Sequence, residues 1–294
     1  MLAINAIALD HYLPEKRARR RATTVEGYES SINLHVLPAF GHMEIADVTR
    51  DAVQTWVDSM PSAGAAEKAY KCLRQIIRWA IRRWALQVID PTVGVELPRK
   101  PKYCPAVLDA RELAGRLRGF WGHAHEATVV LSSSLGLRPG ECYALEWRDV
   151  DMRSGAVRVS KTLQECRDGL VVYPTKTAQS DRTVYLPKWA RERLRDLWRA
   201  AGRPRGRIIG DARPSTVKRR IARHAERMKL PRVTMENTRH TWATVAVAAG
   251  VAIETVAMML GHSSIQTAYE HYIRPSKTIM EAAQTTVSYY MERC

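Results

Sequence analysis

Apolar residues recur at three- and four-residue spacing from Ser62 to Trp84, where Ala66, Ala69, Tyr70, Leu73, Ile76, Ile77, Ala80, Ile81 and Trp84 make one stripe. That pattern predicts a long helix with a single buried face. Shorter patterns predict two helices before it: Thr24 to Val36, with Val25, Tyr28, Ile32 and Val36, and a segment capped by Thr49 that carries Ala52, Val53, Trp56 and Val57. Asp109 followed by Glu112 is an N-cap signature for another. Between residues 155 and 187 the period shortens to two. Val157 and Val159 alternate, Leu170 to Tyr173 and Thr183 to Leu186 follow, and Asp168-Gly169 supplies a turn dipeptide, so a small antiparallel sheet is expected. Helical spacing returns at Trp189 to Ala200, Ser215 to Met228, Thr241 to Ala249, Ile253 to Leu260 and Ser276 to Tyr290. The fold class read from these patterns is mainly α with a small antiparallel β-sheet.

Pro91 to Pro105 carries four prolines and no apolar periodicity, as a linker does. We divide the chain into a helical domain at 1–95, a linker at 96–105 and a second domain at 106–294. The 294 residues contain 46 Lys and Arg against 30 Asp and Glu, a net charge of +16. The excess is +3 in residues 1–100 and +13 in the remainder. Self-repulsion on that scale points to a polyanionic partner. A bilayer is not the expected one, because the longest apolar stretch, Thr241 to Leu260, is interrupted by Gly250 and Glu254. Met1 to Leu9 is apolar, yet it lacks a basic leader and a small-residue cleavage site, so export is not expected. Five scattered cysteines without a Cys-x-x-Cys pair suggest reduced thiols, a cytosolic setting and no zinc site.

On the long helix Lys71, Arg74, Arg78 and Arg82 line one edge with no carboxylate among them, a strip suited to tracking a phosphate backbone. The basic run Lys16 to Arg21 reads equally as a DNA-contacting arm or a disordered tail. In the second domain Arg138 stands in Gly136-Leu-Arg-Pro-Gly-Glu141, and Lys176 between two predicted strands. Arg239 and His240 follow at a helix start, His262 at a helix end, and Tyr272 ten residues later. Taken singly, Arg138 is one cation among 46, Lys176 a hairpin tip, His262 a cap and Tyr272 a half-buried aromatic.

Together and in this order they resemble the tyrosine recombinases of the phage integrase family, whose signature runs Arg, Lys, His or Lys, Arg, His or Trp, then Tyr. GLRPGECYALEWRDVD, TRHTWAT and LGHSSIQTAYEHY are similar to that family's catalytic boxes, and TTVEGYESSINLHVLPAFGHMEI to its helical, SAM-like core-binding domain. The resemblance implies site-specific recombination, as in phage or mobile-element integration and excision, through a 3′-phosphotyrosyl intermediate, with neither metal nor nucleotide cofactor. It implies double-stranded DNA bearing core sites as the partner and four protomers in the active assembly, assembled from monomers. An accessory directionality factor is left open. With about twenty residues before Thr23, the chain resembles either the simpler members that lack an arm-binding module or a larger member whose module lies outside this sequence.

Elementary chemistry suits those residue types. The transition state of phosphodiester attack concentrates negative charge on the non-bridging oxygens, and planar guanidinium groups bind two such oxygens at once. Arg138 and Arg239 take that role in the resemblance, His262 adds a hydrogen bond, and Lys176 is the general acid for the leaving 5′ oxygen. Ionising a phenol of pKa about 10 at neutral pH costs roughly 4 kcal/mol, and cations within about 4–6 Å offset part of it. Spacing from His262 favours Tyr272 over Tyr269, Tyr289 and Tyr290 as nucleophile. Glu141 buttresses Arg138 or serves as a helix N-terminal carboxylate, and His240 is a packing or phosphate-orienting neighbour.

One departure stands out. Three residues before Arg239, where the family has His or Lys, this chain has Glu236. It pairs with a surplus arginine or turns away, or takes the proton from Tyr272, or marks an inactive relative. After residue 272, Ile279, Ala282, Ala283, Val287 and Tyr290 form a stripe suited to docking on a neighbouring subunit or on the chain's own core. Two alternatives to recombination are a type IB topoisomerase and a DNA-binding protein that cuts nothing.

Overall fold

Ile4, Ile7, Ala8, Tyr12 and Leu13 fall on one helical face and are all nearly inaccessible to solvent. They anchor α1, residues 4–19, which turns through a π-helical stretch at Ile7–Tyr12 before Pro14. A second π stretch, Ile32–Val36, precedes Pro38 within α2, residues 22–40. In both helices the wider turn shifts hydrogen bonding just ahead of a residue that has no N–H to donate. α1 replaces the flexibility expected for Lys16 to Arg21 with order as far as Arg19: Lys16 and Arg19 complete a packed helix, both 3.6 Å from Glu15, and Arg17 pairs with Glu29 at 2.6 Å.

The computed structural model describes residues 2–101, 103–175, 177–262, 264, 266, 288 and 291. Two units divide the chain, Met1–Tyr103 with Cys166–Asp168, and Cys104–Glu165 with Gly169–Cys294. In the first, Thr49 caps α3, Arg50–Asp58, and Ser62 caps α4, Ala63–Trp84, each accepting a backbone N–H at 3.2 Å. The predicted stripe of α4 is the core of this unit, although Ile81 and Trp84 are only half-buried.

The second unit starts with α5, Ala110–Gly119, behind a reciprocal capping box between Asp109 and Glu112 at 2.8 and 2.9 Å. Next comes α6, Glu126–Leu135, every residue of which is buried. A helix buried all round has no polar face, so no amphipathic period announces it. After α7, Pro139–Ala144, four strands follow: β1 Ala156–Val159, β2 Lys161–Cys166, β3 Gly169–Pro174 and β4 Arg182–Tyr185. They form two pairs, β1 antiparallel to β4 and β2 beside β3, where the sequence led us to expect one sheet. The unpredicted β2 carries Lys161, Thr162, Gln164 and Glu165, whose polarity hides its alternation. Among the described residues four further helices follow: α8 Lys188–Ala200, α9 Pro214–Arg227, α10 Met235–Ala248 and α11 Ile253–Leu260. The helix expected at Ser276 to Tyr290 lies outside the described residues. Among the described residues no helix is long and apolar enough to cross a membrane, and no His, Cys, Asp and Glu cluster suits a metal ion.

Between α5 and α6, His123 stacks near His224 of α9, ring centroids 4.3 Å apart. Burial pushes the His123 imidazole down to about 4, helped by repulsion from His224, His125, Arg227 and Arg220. The unfolded chain, titrating near 6.5, therefore takes up this proton first. Stability from this site is full above about pH 6.5 and is lost as pH falls toward about 4. With His123 partly solvated, we expect a loss of about 1–2 kcal/mol, read as a falling urea midpoint over that window that His123→Gln largely removes.

Candidate functional site

α6 ends at Gly136, whose φ of +60° is left-handed, and a Cβ there would meet Trp242 at 2.7 Å and Leu260 at 2.9 Å. Glycine is required both by the backbone and by the space. Two residues on, Arg138 sits in extended conformation at the head of α7, and Glu141 closes on it. The Glu141 carboxylate accepts from the Arg138 backbone N–H at 3.0 Å and from Nη1 at 2.8 Å. Glu141 thus fills both roles the sequence left open.

A third partner was not anticipated. Arg182 of β4 donates to both Glu141 oxygens, at 3.0 and 3.4 Å, and the two side chains are 8% and 3% exposed. Alternation along β4 puts Arg182 on the same side as buried Val184, so the signal was readable: an arginine at an inward strand position needs an anion. Burial works against ionising Glu141, but Arg182 and then Arg138 outweigh it and hold the carboxyl below the ordinary carboxylate range.

All three arginines converge on the carboxyl end of α11. Arg182 Nε donates to Met259 O at 2.6 Å, Arg239 Nη2 to Leu260 O at 2.8 Å, and Arg138 Nη2 to Gly261 O at 3.2 Å. The last carbonyls of a helix have no partner within it and carry its negative end, so three successive carbonyls orient three cations. Arg239, 7% exposed, also donates to Gly136 O at 3.0 Å, joining the ends of α6 and α11. Arg182 and Arg138 share the Glu141 carboxylate, and the Arg138 side chain remains 41% exposed. A partly exposed guanidinium at the mouth of the site can meet an anion on its open side.

Gly261, φ +66°, makes this packing possible. A Cβ would lie 2.9 Å from Arg182 Nη1 and 3.1 Å from Gln179 O. We expect Gly261→Ala to destabilise by about 1–3 kcal/mol, measured by urea unfolding, and to lower activity further because Arg182 is displaced.

His262 follows Gly261, half-buried, its N–H donating to Ala257 O at 3.0 Å. His240 is half-buried beside Arg239 on α10. Glu236 lies in the first turn of α10, exposed, and makes no ion pair among the described residues. Among the described residues no arginine pairs with it, as in the alternative that it turns away, and the carboxylate sits where a helix N-terminus favours negative charge. Lys176 and Tyr272 lie outside the described residues, as do Tyr269, Tyr289 and Tyr290. Beyond Lys176, Ser180 Oγ donates to Gly261 O at 3.4 Å and shares a 2.9 Å hydrogen bond with Thr177 Oγ1.

In the first unit, the strip on α4 is not free of carboxylates. Lys71 pairs with Glu67, and Arg78 with Asp90 at 2.8 Å. Glu67 precedes Lys71 by four residues on the same helix, so i,i+4 spacing already pairs them, whereas Asp90 lies beyond the end of α4, where that spacing does not reach. Arg74 and Arg82 have no such partner among the described residues, and α1 adds Lys16 and Arg20 to the same cleft of about 500 Å³.

The chain matches the phage integrase family over residues 122–278 and the phage integrase N-terminal SAM-like domain over residues 8–60. A putative integrase/recombinase of Sinorhizobium fredii, y4qK, is 28% identical over 63% of this chain, which spans 57% of that relative's length. A tyrosine recombinase XerC-like protein of Caldanaerobacter subterraneus is 29% identical over 89% of this chain and 77% of its own. Among solved structures, the Tn1549 transposon integrase in complex with transposon right end DNA superposes with a TM-score of 0.80 at 15% identity, covering 98% of this chain and 100% of that one. A lambda integrase tetramer bound to a Holliday junction gives 0.69 at 16% identity, over 94% and 80%. The family match spans more than half of the residues and contains all three arginines that meet at the end of α11, so the chain belongs to the phage integrase family, the tyrosine recombinases.

Proposed function

We propose that this chain cleaves and rejoins DNA strands at specific core sites through a 3′-phosphotyrosyl intermediate on Tyr272. The observation that carries the reading is the meeting of Arg138 and Arg239 on adjacent carbonyls of Leu260 and Gly261, one residue before His262. The phenolic oxygen of Tyr272 bonds to phosphorus as the bond to O5′ breaks, and Lys176 protonates the departing oxygen. Arg138, Arg239 and His262 hold the non-bridging oxygens, and Glu141 and Arg182 keep Arg138 in place. His240 orients its neighbour Arg239. Glu236, exposed in the first turn of α10, stabilises the helix end and leaves the phosphate to the arginines. The phosphotyrosine linkage retains the energy of the broken bond, so resealing needs neither ATP nor metal.

Four protomers on two paired DNA sites form the active assembly, with the segment after Tyr272 docking between neighbours. The tetrameric state of the structurally similar lambda integrase on a Holliday junction supports this. The setting is the host cytoplasm, with a directionality factor choosing between integration and excision. A nicked suicide duplex, from which the cleaved fragment diffuses away, should trap a covalent adduct. Absence of the adduct would leave only DNA binding, and relaxation of plasmids lacking a core site would instead indicate a topoisomerase.

The cleft lined by Lys16, Arg20, Arg74 and Arg82 binds the DNA backbone in this reading. Every phosphate that a variant no longer neutralises lowers the salt dependence of log K by about 0.9. Arg74→Gln with Arg82→Gln should therefore flatten the slope by about 2 and weaken binding evenly across DNA sequences, read by fluorescence anisotropy between 50 and 200 mM salt.

A further inference from the structure

The second unit holds another concentration of positive charge, at the far end of α6 from the arginine pair. α6 has ten residues, about 15 Å at 1.5 Å per residue; Gly136 follows its last turn and His125 precedes its first. There a cleft of about 420 Å³ is lined by His123, Arg220, Arg223, His224, Glu226 and Arg227. Its one carboxylate, Glu226, pairs with Arg232. Arg220 and Arg223 make no ion pair among the described residues.

Hydrogen bonding turns this cleft into a set of donors. His224 Nε2 faces Gly119 O at 2.8 Å and must donate, so in the neutral ring Nδ1 accepts from Arg227 Nη2 at 3.0 Å. His123 Nδ1 accepts the backbone N–H of His125 at 3.1 Å, which leaves the proton of the neutral ring on Nε2. Both ring acceptors are consumed within the protein and His224 Nε2–H is spent on Gly119 O, so His123 Nε2–H is the ring donor that remains. Behind them His125 is 5% exposed, its Nε2 buried without a hydrogen-bond partner. Burial depresses the protonation of His123 most, followed by His224 and His125, with the cations Arg227 and Arg220 adding to the effect.

We propose that this cleft is a second anion site that takes a phosphate group, held by Arg220 and Arg223 with His123 Nε2–H. Phosphate suits it better than a carboxylate, because its tetrahedral oxygens accept from several directions and its charge offsets more than one guanidinium. The group can belong to the DNA backbone or to a free phosphate ester. The site stands on residues separate from the Arg138 and Arg239 pair and does not depend on the recombination reading.

The test follows histidine ring resonances of the full-length protein by NMR while inorganic phosphate or pyrophosphate replaces chloride at constant ionic strength. His123 and His262 are assigned from His123→Gln and His262→Gln. We expect saturable shifts at His123, and an upward shift of its titration, because a bound anion favours the imidazolium. The Arg220→Gln/Arg223→Gln protein should need at least tenfold more phosphate while keeping its unfolding midpoint. His262 reports separately on phosphate at the arginine pair. If a duplex oligonucleotide moves the His123 signal and competes with phosphate, the backbone is the source. If phosphate alone moves it, a free phosphate ester is. Shifts confined to His262, or His123 shifts that persist in the double variant, would overturn the proposal.

Discussion

Tyr272→Phe protein should form no covalent adduct with a nicked core-site duplex while binding the uncut duplex within about twofold of wild type. Only the phenolic oxygen is removed, and with it the atom that attacks phosphorus, so cleavage should fall at least about 10⁴-fold. No water can substitute productively, because hydrolysis would discard the linkage needed for resealing. Tyr269→Phe is the necessary control. It should retain adduct formation, and the reverse outcome, with Tyr269 essential and Tyr272 dispensable, would move the nucleophile by three residues and contradict the spacing from His262.

The second large effect is expected at Arg239. Its guanidinium spans Gly136 O at 3.0 Å and Leu260 O at 2.8 Å. A single lysine ammonium lacks the planar fork that meets both and still faces a phosphate. Arg239→Lys should therefore lower single-turnover cleavage about 10²- to 10³-fold, the loss typical of removing one preorganised donor to a transition-state oxyanion. It should also cost about 1–3 kcal/mol of stability, because a buried carbonyl is left without its donor. Arg138→Lys separates the two contributions. The Arg138 side chain is 41% exposed, so its replacement should reduce cleavage comparably and stability far less. Equal stability losses in both variants would mean that the two arginines are built into the core alike, and the assignment of Arg138 to the open side of the site would fail.

Much of this was legible before any coordinates. The stripe of α4, the caps Thr49, Ser62 and Asp109, and the hairpin turn at Asp168-Gly169 depend on residues within one or two turns of each other. α1 was legible in part: Ile4, Ile7, Ala8 and Tyr12 have helical spacing, yet the run of cations that follows reads as a solvated tail. α6 was not legible, since burial on every side removes the polar face that marks a helix. For the site, Glu141 lies three residues from Arg138 and local reasoning reached it. Arg182, on a strand forty-one residues farther, became part of the cluster only when β4 brought its buried charge to the same carboxylate.

By itself the sequence determined the class of chain: helical stripes, capped starts, a basic balance, and three boxes in an order that few other chemistries share. Those features follow from local periodicity and from the kinds of side chain present. Only the tertiary structure decided which charges meet. It set Arg138, Arg182 and Arg239 on successive carbonyls of one helix end, and it tied Arg78 to Asp90 beyond the end of its own helix. The reason is physical: a charge leaving water must find its counter-charge or a dipole wherever folding presents one, and that choice is made between segments far apart in the chain.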